Sequence, residues 1–517
     1  MTSRPTRLAS IDCRDFQRMV EITGFFTEER KIYFDNFFRD PELAEKAFTY
    51  VRQNDTLYTF CYLPSYCWII CTVLSRSFQT TSSDQQVSLL PRTVTQLFAI
   101  FVANILSNHS LEKSGAQKLL QSMGWMAEHG VMNHTIIFDD RDLESFHVDN
   151  KSKLLSSFLM ESEEPVSYSF LHLTVQEFFS AFVHYADYSP EKLQESLEKA
   201  KSYPDGRGEM FLRFLCGLSD ATTRSLLTGY LDTRAAQASR DVITWLKNFI
   251  TGGGGEEERL EESEYKKRRL LRMFFYLFET RNKVLVQESL QSHRTLDLSY
   301  VPLSALDCTV LSFIMESCSH IEGLHLSRCS IDPEGLERLA PGLHNLRDLS
   351  LSHNNLPDTS FVPLASVIRN NPDLKTLDLS GNRLAGPDLS VLLEALSGLR
   401  RLEKLYLFGN NLPDTSCVPL ASVIRNNPDL KILVLSYNRL PGPDLSVLLE
   451  ALSGLRRMER LHLGYNDLPD TSCVPLASVI RNIPDLKILD LSGNRLAGPD
   501  LSVLLEALSG LCRLEEL

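Results

Sequence analysis

The sequence predicts several mostly helical domains followed by an α/β solenoid, and three observations carry that expectation. A length of 517 residues is too great for one small domain and suits about three or four. Up to about residue 290 the apolar residues follow helical spacing broken by prolines. Beyond it the pattern LxxLxLxxNxL recurs every 28 residues, led by Leu346, Leu374, Leu402, Leu430, Met458 and Leu486. Hydrophobic residues make up 43% and charged residues 23%, enough for substantial cores and unlike a disordered chain. A net charge of -13 argues against a chain whose work is to neutralise nucleic-acid phosphates or anionic membrane. The 11 cysteines are scattered without a CxxC pair, which suits reduced cytosolic thiols better than a disulfide framework or a zinc site.

The elements follow in order. The first residues hold no apolar run long enough for a secretion signal. Residues 27–52 read as two amphipathic helices split at Pro41. Residues 57–74 are uncharged, close to the length of a membrane span, but Pro64 and several Tyr, Ser, Thr and Cys favour a buried, proline-broken helix pair. The polar QTTSSDQQ at 79–86 precedes a helix near 91–107. LLQSMGWMAEHG then reads as helix and TIIFDDRDL as a short strand, while 168–186 reads as a strand running into a helix. A helical segment fills 190–250. The glycine run and acidic cluster of 251–264 read as a flexible loop, and the KKRR after them as solvated surface.

The repeats match the leucine-rich signature at the long spacing of the ribonuclease-inhibitor-like class. In LDLSGN, Leu377 and Leu379 alternate inward from a short strand, while the Asn382 amide can bond neighbouring backbone. The rest of a unit, such as LSVLLEALSGL, gives one apolar helical face. Weaker copies begin at Ile321, with Cys329 in the asparagine place, and near His293. A final copy breaks off after Leu514 as LEEL.

Three 56-residue blocks, 346–401, 402–457 and 458–513, are nearly identical. Eight of the ten differences between the first two blocks fall at non-core positions of the strand motif, as do six of the eleven between the last two. Helix positions such as Arg369 and Arg425 are unchanged. The pattern reads as a concave binding face that diversified on a fixed scaffold. That face carries Tyr406, Phe408, Tyr437, His462 and Tyr465. Exposed aromatics serve as interface anchors, or they pack laterally as a stabilising ladder; the residues alone leave both open.

TSRP at 2–5, ITGFFTEERKIYFDNFF, CYLPSYCWIICTVL and FLHLTVQEFFSAF, followed by a helical segment and these repeats, together resemble the C-terminal part of a NOD-like receptor, the NACHT and leucine-rich-repeat family, most of all its expanded fish-type members. The resemblance implies a NACHT remnant at 1–20, a first helical domain at 21–80, a winged-helix domain at 87–188, a second helical domain at 189–288 and repeats from 289 to 517. Arg4 looks like the family's sensor arginine, Pro64 like the proline against adenine, and His172 like the winged-helix histidine on the β-phosphate of ADP. On residues alone these are a surface arginine, a helix-breaking proline and a satisfied histidine. No GxxxxGK[ST] occurs anywhere in the 517 residues, and the glycine run at 252–255 is followed by glutamates that repel phosphate. The expectation is therefore an N-terminally truncated receptor that is not an ATPase and needs no cofactor of its own, ADP or ATP belonging to the full-length family. No catalytic or metal-ligating constellation is evident. The resemblance implies a cytosolic innate-immune role, with a protein or pathogen-derived ligand on the repeats and homo-oligomerisation in the full receptor. A stand-alone repeat scaffold or inhibitor is the competing reading.

Overall fold

Prolines and glycine-sized gaps set the first half of the molecule. The computed structural model describes residues 24–52, 55–79, 91–107, 113–163, 166–203, 206–251 and 262–517. The chain divides into two units, residues 1–255 with 275–285, and residues 256–274 with 286–517.

In the first unit, α1 (Thr27–Phe38) ends at Arg39 in the left-handed region (φ 56°), and α2 (Pro41–Arg52) restarts on a proline. The uncharged stretch folds as α3 (Asp55–Phe60) and α4 (Pro64–Gln79), again opening on proline. Leu57, Phe60, Cys67, Ile69 and Ile70 are buried there, and no described helix is long and apolar enough to cross a membrane. Arg30 is buried beneath them. Its Nε donates to the Phe25 carbonyl at 3.0 Å, and its guanidinium lies 4.5 Å from the Tyr58 ring centroid.

Next come α5 (Val94–Ser107), α6 (Lys113–Asn133), α7 (Asp140–Ser145), the antiparallel hairpin β1 (Leu159–Glu163) and β2 (Val166–Phe170), and α8 (Leu173–Ala186). The strand expected in TIIFDDRDL shrinks to one bridge, Phe138 to Tyr168, because Asp139 and Asp142 form a capping box that starts α7 at once. From Thr174 to Ala186 every residue of α8 is buried. It approaches α6 so closely that a Cβ on Gly124 would lie 2.6 Å from the Val183 Cβ. The expected helical segment of 190–250 is four helices, α9 (Pro190–Ser202), α10 (Glu209–Gly217), α11 (Ala221–Ser225) and α12 (Ala235–Thr251). Of the loop expected at 251–264, residues 252–261 lie outside the described residues, while Glu262 already opens α13 (Glu262–Thr280). Glu279 is buried, accepting from the Thr95 amide at 3.1 Å and hydroxyl at 2.6 Å; burial raises its carboxyl above the ordinary range.

The second unit contains the start of α13, the later part of α14 (Lys283–Leu290) and the solenoid. Eight strands lie parallel in chain order: β3 (Thr295–Asp297), β4 (Gly323–His325), β5 (Asp348–Ser350), β6 (Thr376–Asp378), β7 (Lys404–Tyr406), β8 (Ile432–Val434), β9 (Arg460–His462) and β10 (Ile488–Asp490). Helices α15 (Ala305–Ser317) to α22 (Leu501–Ser509) alternate with them. The central leucines 324, 349, 377, 405, 433, 461 and 489 are all buried, each contributing about 1.5–3 kcal/mol that is realised only against a neighbouring repeat.

Asparagine amides tie the repeats together as the motif predicts. Asn438 accepts from the Asn410 and Leu412 amides at 3.2 and 3.0 Å and donates to the Leu407 and Leu435 carbonyls at 3.0 and 2.8 Å. In the irregular copy, Cys329 instead gives its Sγ–H to Leu298 at 3.2 Å. A second ladder follows α17 (Phe361–Arg369) and α19 (Cys417–Asn426). Asn371 and Asn427 are buried there, each bridging two repeats. The KKRR stretch is not simply solvated surface: the Lys267 ammonium is half-buried, 2.8 Å from Asp297 and 3.1 Å from the Ser299 carbonyl of the first repeat. Burial pushes the Asp297 carboxyl up, but hydrogen bonds from Lys267 and Ser299 hold it below its ordinary value.

Candidate partner-binding face

The sheet's exposed rows are built by register. Lys404, Ile432 and Arg460 lie side by side on β7, β8 and β9, and so do Tyr406, Val434 and His462. These residues flank the inward-pointing leucines 405, 433 and 461, so their side chains leave the sheet on the face opposite the core. Asp348 and Asp378 occupy the same rows on β5 and β6, and Asp490 on β10. The face thus runs from acidic through a basic and apolar middle to acidic again. His462 Nδ1 stands 3.8 Å from Asp490. Burial raises the Tyr406 phenol, helped by Asp378 and opposed by Arg460.

Of the five residues expected in one concave row, only Tyr406 and His462 stand in strands. Phe408, Tyr437 and Tyr465 lie just past the strand ends, where they form the lateral ladder: Phe408 and Tyr437 centroids are 5.0 Å apart, and Tyr437 stacks on Tyr465 at 4.3 Å and 16°. They nevertheless remain 37%, 47% and 49% exposed, so the ladder also leaves ring edges facing outward.

Tyr437 and Tyr465 belong to a row the motif alone did not reveal. Where each chain segment leaves its strand, one residue takes positive φ: Tyr300 (71°), Arg328 (57°), His353 (57°), Gly381 (67°), Gly409 (65°), Tyr437 (60°), Tyr465 (53°) and Gly493 (63°). Glycine accepts that backbone freely, whereas a large aromatic is strained in it. The signal was present in the sequence as glycine recurring at this one motif position. A second missed feature is a charge ladder at the strand entrances. Glu403 bonds Lys431 at 2.7 Å and Lys375 at 2.9 Å, and these two hold its carboxyl at about 2. Lys487 and Glu459 repeat the pairing at 2.9 Å.

Of the three residues expected to meet nucleotide, two lie on described helices, Pro64 on α4 and His172 at the start of α8. Arg4 lies outside the described residues. Pro64 is exposed at the first turn of α4, and His172 is the N-cap of α8. The Thr174 amide donates to His172 Nδ1 at 3.1 Å, which leaves the proton of the neutral ring on Nε2; burial depresses its pKa. Sequence reasoning passed over His184, fully buried in α8 with neither ring nitrogen partnered. It packs edge-on to Trp125 and Phe211, and burial holds its pKa at about 3. The described residues contain no cluster of His, Cys, Asp or Glu able to hold a metal, and their ten cysteines are free.

A helical unit with a β-hairpin wing, joined in sequence to a leucine-rich solenoid, defines a multidomain leucine-rich-repeat protein. The model of the NLRC4 helical domain HD2 matches residues 172–288, and that of the NOD2 winged helix domain matches 118–170. Leucine-rich-repeat models match 317–340, 370–393 and 485–511. These matched domains are of the kinds found in the NOD-like receptor family, which the chain resembles. It is similar to the NACHT, LRR and PYD domains-containing protein 1 homolog of Danio rerio, 26% identical over 69% of this chain and 27% of the relative. It is 28% identical to NACHT, LRR and PYD domains-containing protein 12 of Homo sapiens over 72% of this chain and 35% of that one. Protein 6 of that series from Rattus norvegicus is 29% identical over 63% and 39%. The chain therefore spans about a third of the length of these curated relatives. The domains matched are helical, winged-helix and repeat domains, none of them catalytic.

Proposed function

We propose that this chain is the regulatory and sensing part of a cytosolic innate-immune NOD-like receptor. The leucine-rich face binds a protein or pathogen-derived ligand, and the helical and winged-helix unit restrains nucleotide-dependent oligomerisation in the longer receptor. One observation carries the ligand-binding half of this reading: among three nearly identical blocks, the changes gather on the outward rows of β5 to β10 and the turns after them. Exposed helix positions such as Arg369 and Arg425 stay fixed, so general tolerance of exposed sites does not account for the pattern. Replacing Tyr406, Phe408, Tyr437 and Tyr465 by Ser tests it. Loss of the captured ligand with folding intact supports the reading, and undiminished capture refutes it.

The nucleotide half rests on the family resemblance and on His172, whose Nε2–H is free of the cap and can donate to a phosphate oxygen. Pro64 offers only an exposed ring, and no phosphate loop occurs in the 517 residues. That last observation favours a second reading, a repeat scaffold without a switch. Titrating the purified chain with ADP distinguishes them: binding lost in His172→Ala supports a regulated receptor, and no binding supports the scaffold.

A further inference from the structure

The binding face carries more detail than its variability. Its middle spans three repeats. Lys404 and Arg460 stand on either side of Ile432 in one row, with Tyr406 and Val434 in the next and the Phe408, Tyr437 and Tyr465 stack beyond the strand ends.

Two features of this patch do not serve the fold. The first is backbone strain. Tyr437 and Tyr465 hold φ of 60° and 53°, at a motif position where Gly381, Gly409 and Gly493 carry no strain and where Tyr300, Arg328 and His353 are the other side chains held so. Stacking between half-exposed rings contributes about as much as the left-handed backbone costs an aromatic residue, so the rings bring the folded state little net gain. Strain held at an exposed ring points to a contact made outside the chain. The second is unmatched charge. The cations of the strand-entrance ladder, Arg347, Lys375, Lys431 and Lys487, all have glutamate partners. Among the described residues Lys404 and Arg460 make no ion pair, although Asp378 and Asp490 stand in neighbouring strands of the sheet. The protein as a whole carries -13, so this is a small cationic island between acidic flanks.

Given a face that is a ligand surface, the proposed reading on which this depends, we infer that the patch of Lys404, Tyr406, Phe408, Tyr437, Arg460 and Tyr465 receives an acidic peptide segment of a partner protein. In that segment carboxylates flank an aromatic or aliphatic side chain. The carboxylates meet Lys404 and Arg460, about 10 Å apart across two strand spacings. The apolar side chain rests on Ile432, Val434 and Tyr406 between them, and the tyrosine edges and hydroxyls close one side. Register on neighbouring strands gives the peptide its direction and spacing. A nucleic acid fits less well. Tyr437 and Tyr465 cover each other's faces, and the outer face of Tyr465 lies against Gly493, where a Cβ would come within 2.5 Å of the ring. A base finds no slot among them, and Asp378 and Asp490 repel phosphates on both sides.

The test selects a random twelve-residue peptide library on the immobilised full chain and measures enriched peptides by fluorescence anisotropy. Two double variants use residues that other repeats already carry at these positions, Tyr437→Gly with Tyr465→Gly, and Lys404→Asp with Arg460→Ile. Both are expected to keep the wild-type circular dichroism. The expected peptides carry Asp or Glu on each side of Trp, Phe or Leu, and bind each double variant at least tenfold more weakly while binding Arg369→Ala normally. Basic or uncharged enriched peptides, equal enrichment on wild type and variants, or tighter binding of a single-stranded RNA oligonucleotide than of any peptide would overturn the inference. If peptide binding is instead lost through Asp348→Ala and Asp378→Ala, this patch is wrong but the face remains the binding surface. If it survives every face substitution, the ligand-binding reading itself fails.

Discussion

The three blocks contain a natural experiment at one buried position. Asn371 and Asn427 are both fully buried, and the residue 56 positions on is Ile483, equally buried. Asn427 accepts from the Leu402 amide at 2.8 Å and donates to the Leu399 and Val423 carbonyls at 2.9 and 2.8 Å, joining one repeat to the next. The corresponding groups around Ile483 are the Met458 amide and the Leu455 and Val479 carbonyls, to which isoleucine offers neither donor nor acceptor. Asn427→Ile removes three bonds at roughly 0.5–1.5 kcal/mol each and leaves buried backbone groups unmatched, offset in part by the apolar side chain gained. The net expected cost is about 2–3 kcal/mol. Ile483→Asn in the third block should stabilise by about 1 kcal/mol. Urea unfolding of the full chain followed by circular dichroism gives the sign. Hydrogen exchange at the Leu402 and Met458 amides localises it, which matters because two units need not unfold as one transition. If Asn427→Ile leaves both the midpoint and Leu402 exchange unchanged, packing alone holds the repeats together and the amide ladder is dispensable.

Other expectations follow the same physics. His184 is neutral in the fold with its pKa at about 3, below the ordinary 6.5, so as pH falls the unfolded chain takes up the proton first. Its contribution is whole above about pH 6.5 and is lost progressively toward pH 3, about 2 kcal/mol of it by pH 5; His184→Phe should flatten the stability profile measured between those limits. Gly124→Ala forces a Cβ to within 2.6 Å of Val183 and should destabilise the α6 and α8 packing by roughly 1–3 kcal/mol in thermal unfolding. Gly381→Ala meets the His353 ring as well as an unfavourable φ, whereas Gly409→Ala meets open space at nearly the same φ, so the first should cost more than the second by about 1 kcal/mol or above. Leu433→Ala, in the middle of the solenoid, should cost about 2–5 kcal/mol.

What the sequence made legible is what repeats. Leu377, Leu379 and Asn382 recur at fixed offsets because each performs the same task against the next repeat, so period alone places them in the core and the ladder. Pro41 and Pro64 marked helix starts because a missing N–H is tolerated only there. Features made by pairs distant in sequence were not legible. Gly124 under Val183 and Lys267 beside Asp297 depend on how elements pack, and nothing near any of these residues in sequence marks its partner. TIIFDDRDL read as a strand because its β-branched residues outweighed, in a local window, the Asp139 cap that ends the pairing. On the outward face, variation between blocks picked out strand positions that the register sets side by side, but the left-handed turn holding Tyr437 and Tyr465 is a backbone property. Only comparison with Gly381, Gly409 and Gly493 at the same motif place could have suggested it.

The claim that the outward sheet face and its turns form the ligand surface is tested most directly by hydrogen exchange of the full chain with and without a peptide enriched by selection. The account predicts slowed exchange in residues 404–409, 432–437 and 460–465, with α17, α19 and the N-terminal unit unchanged. Protection confined to the repeat helices or to residues 24–251 would contradict it.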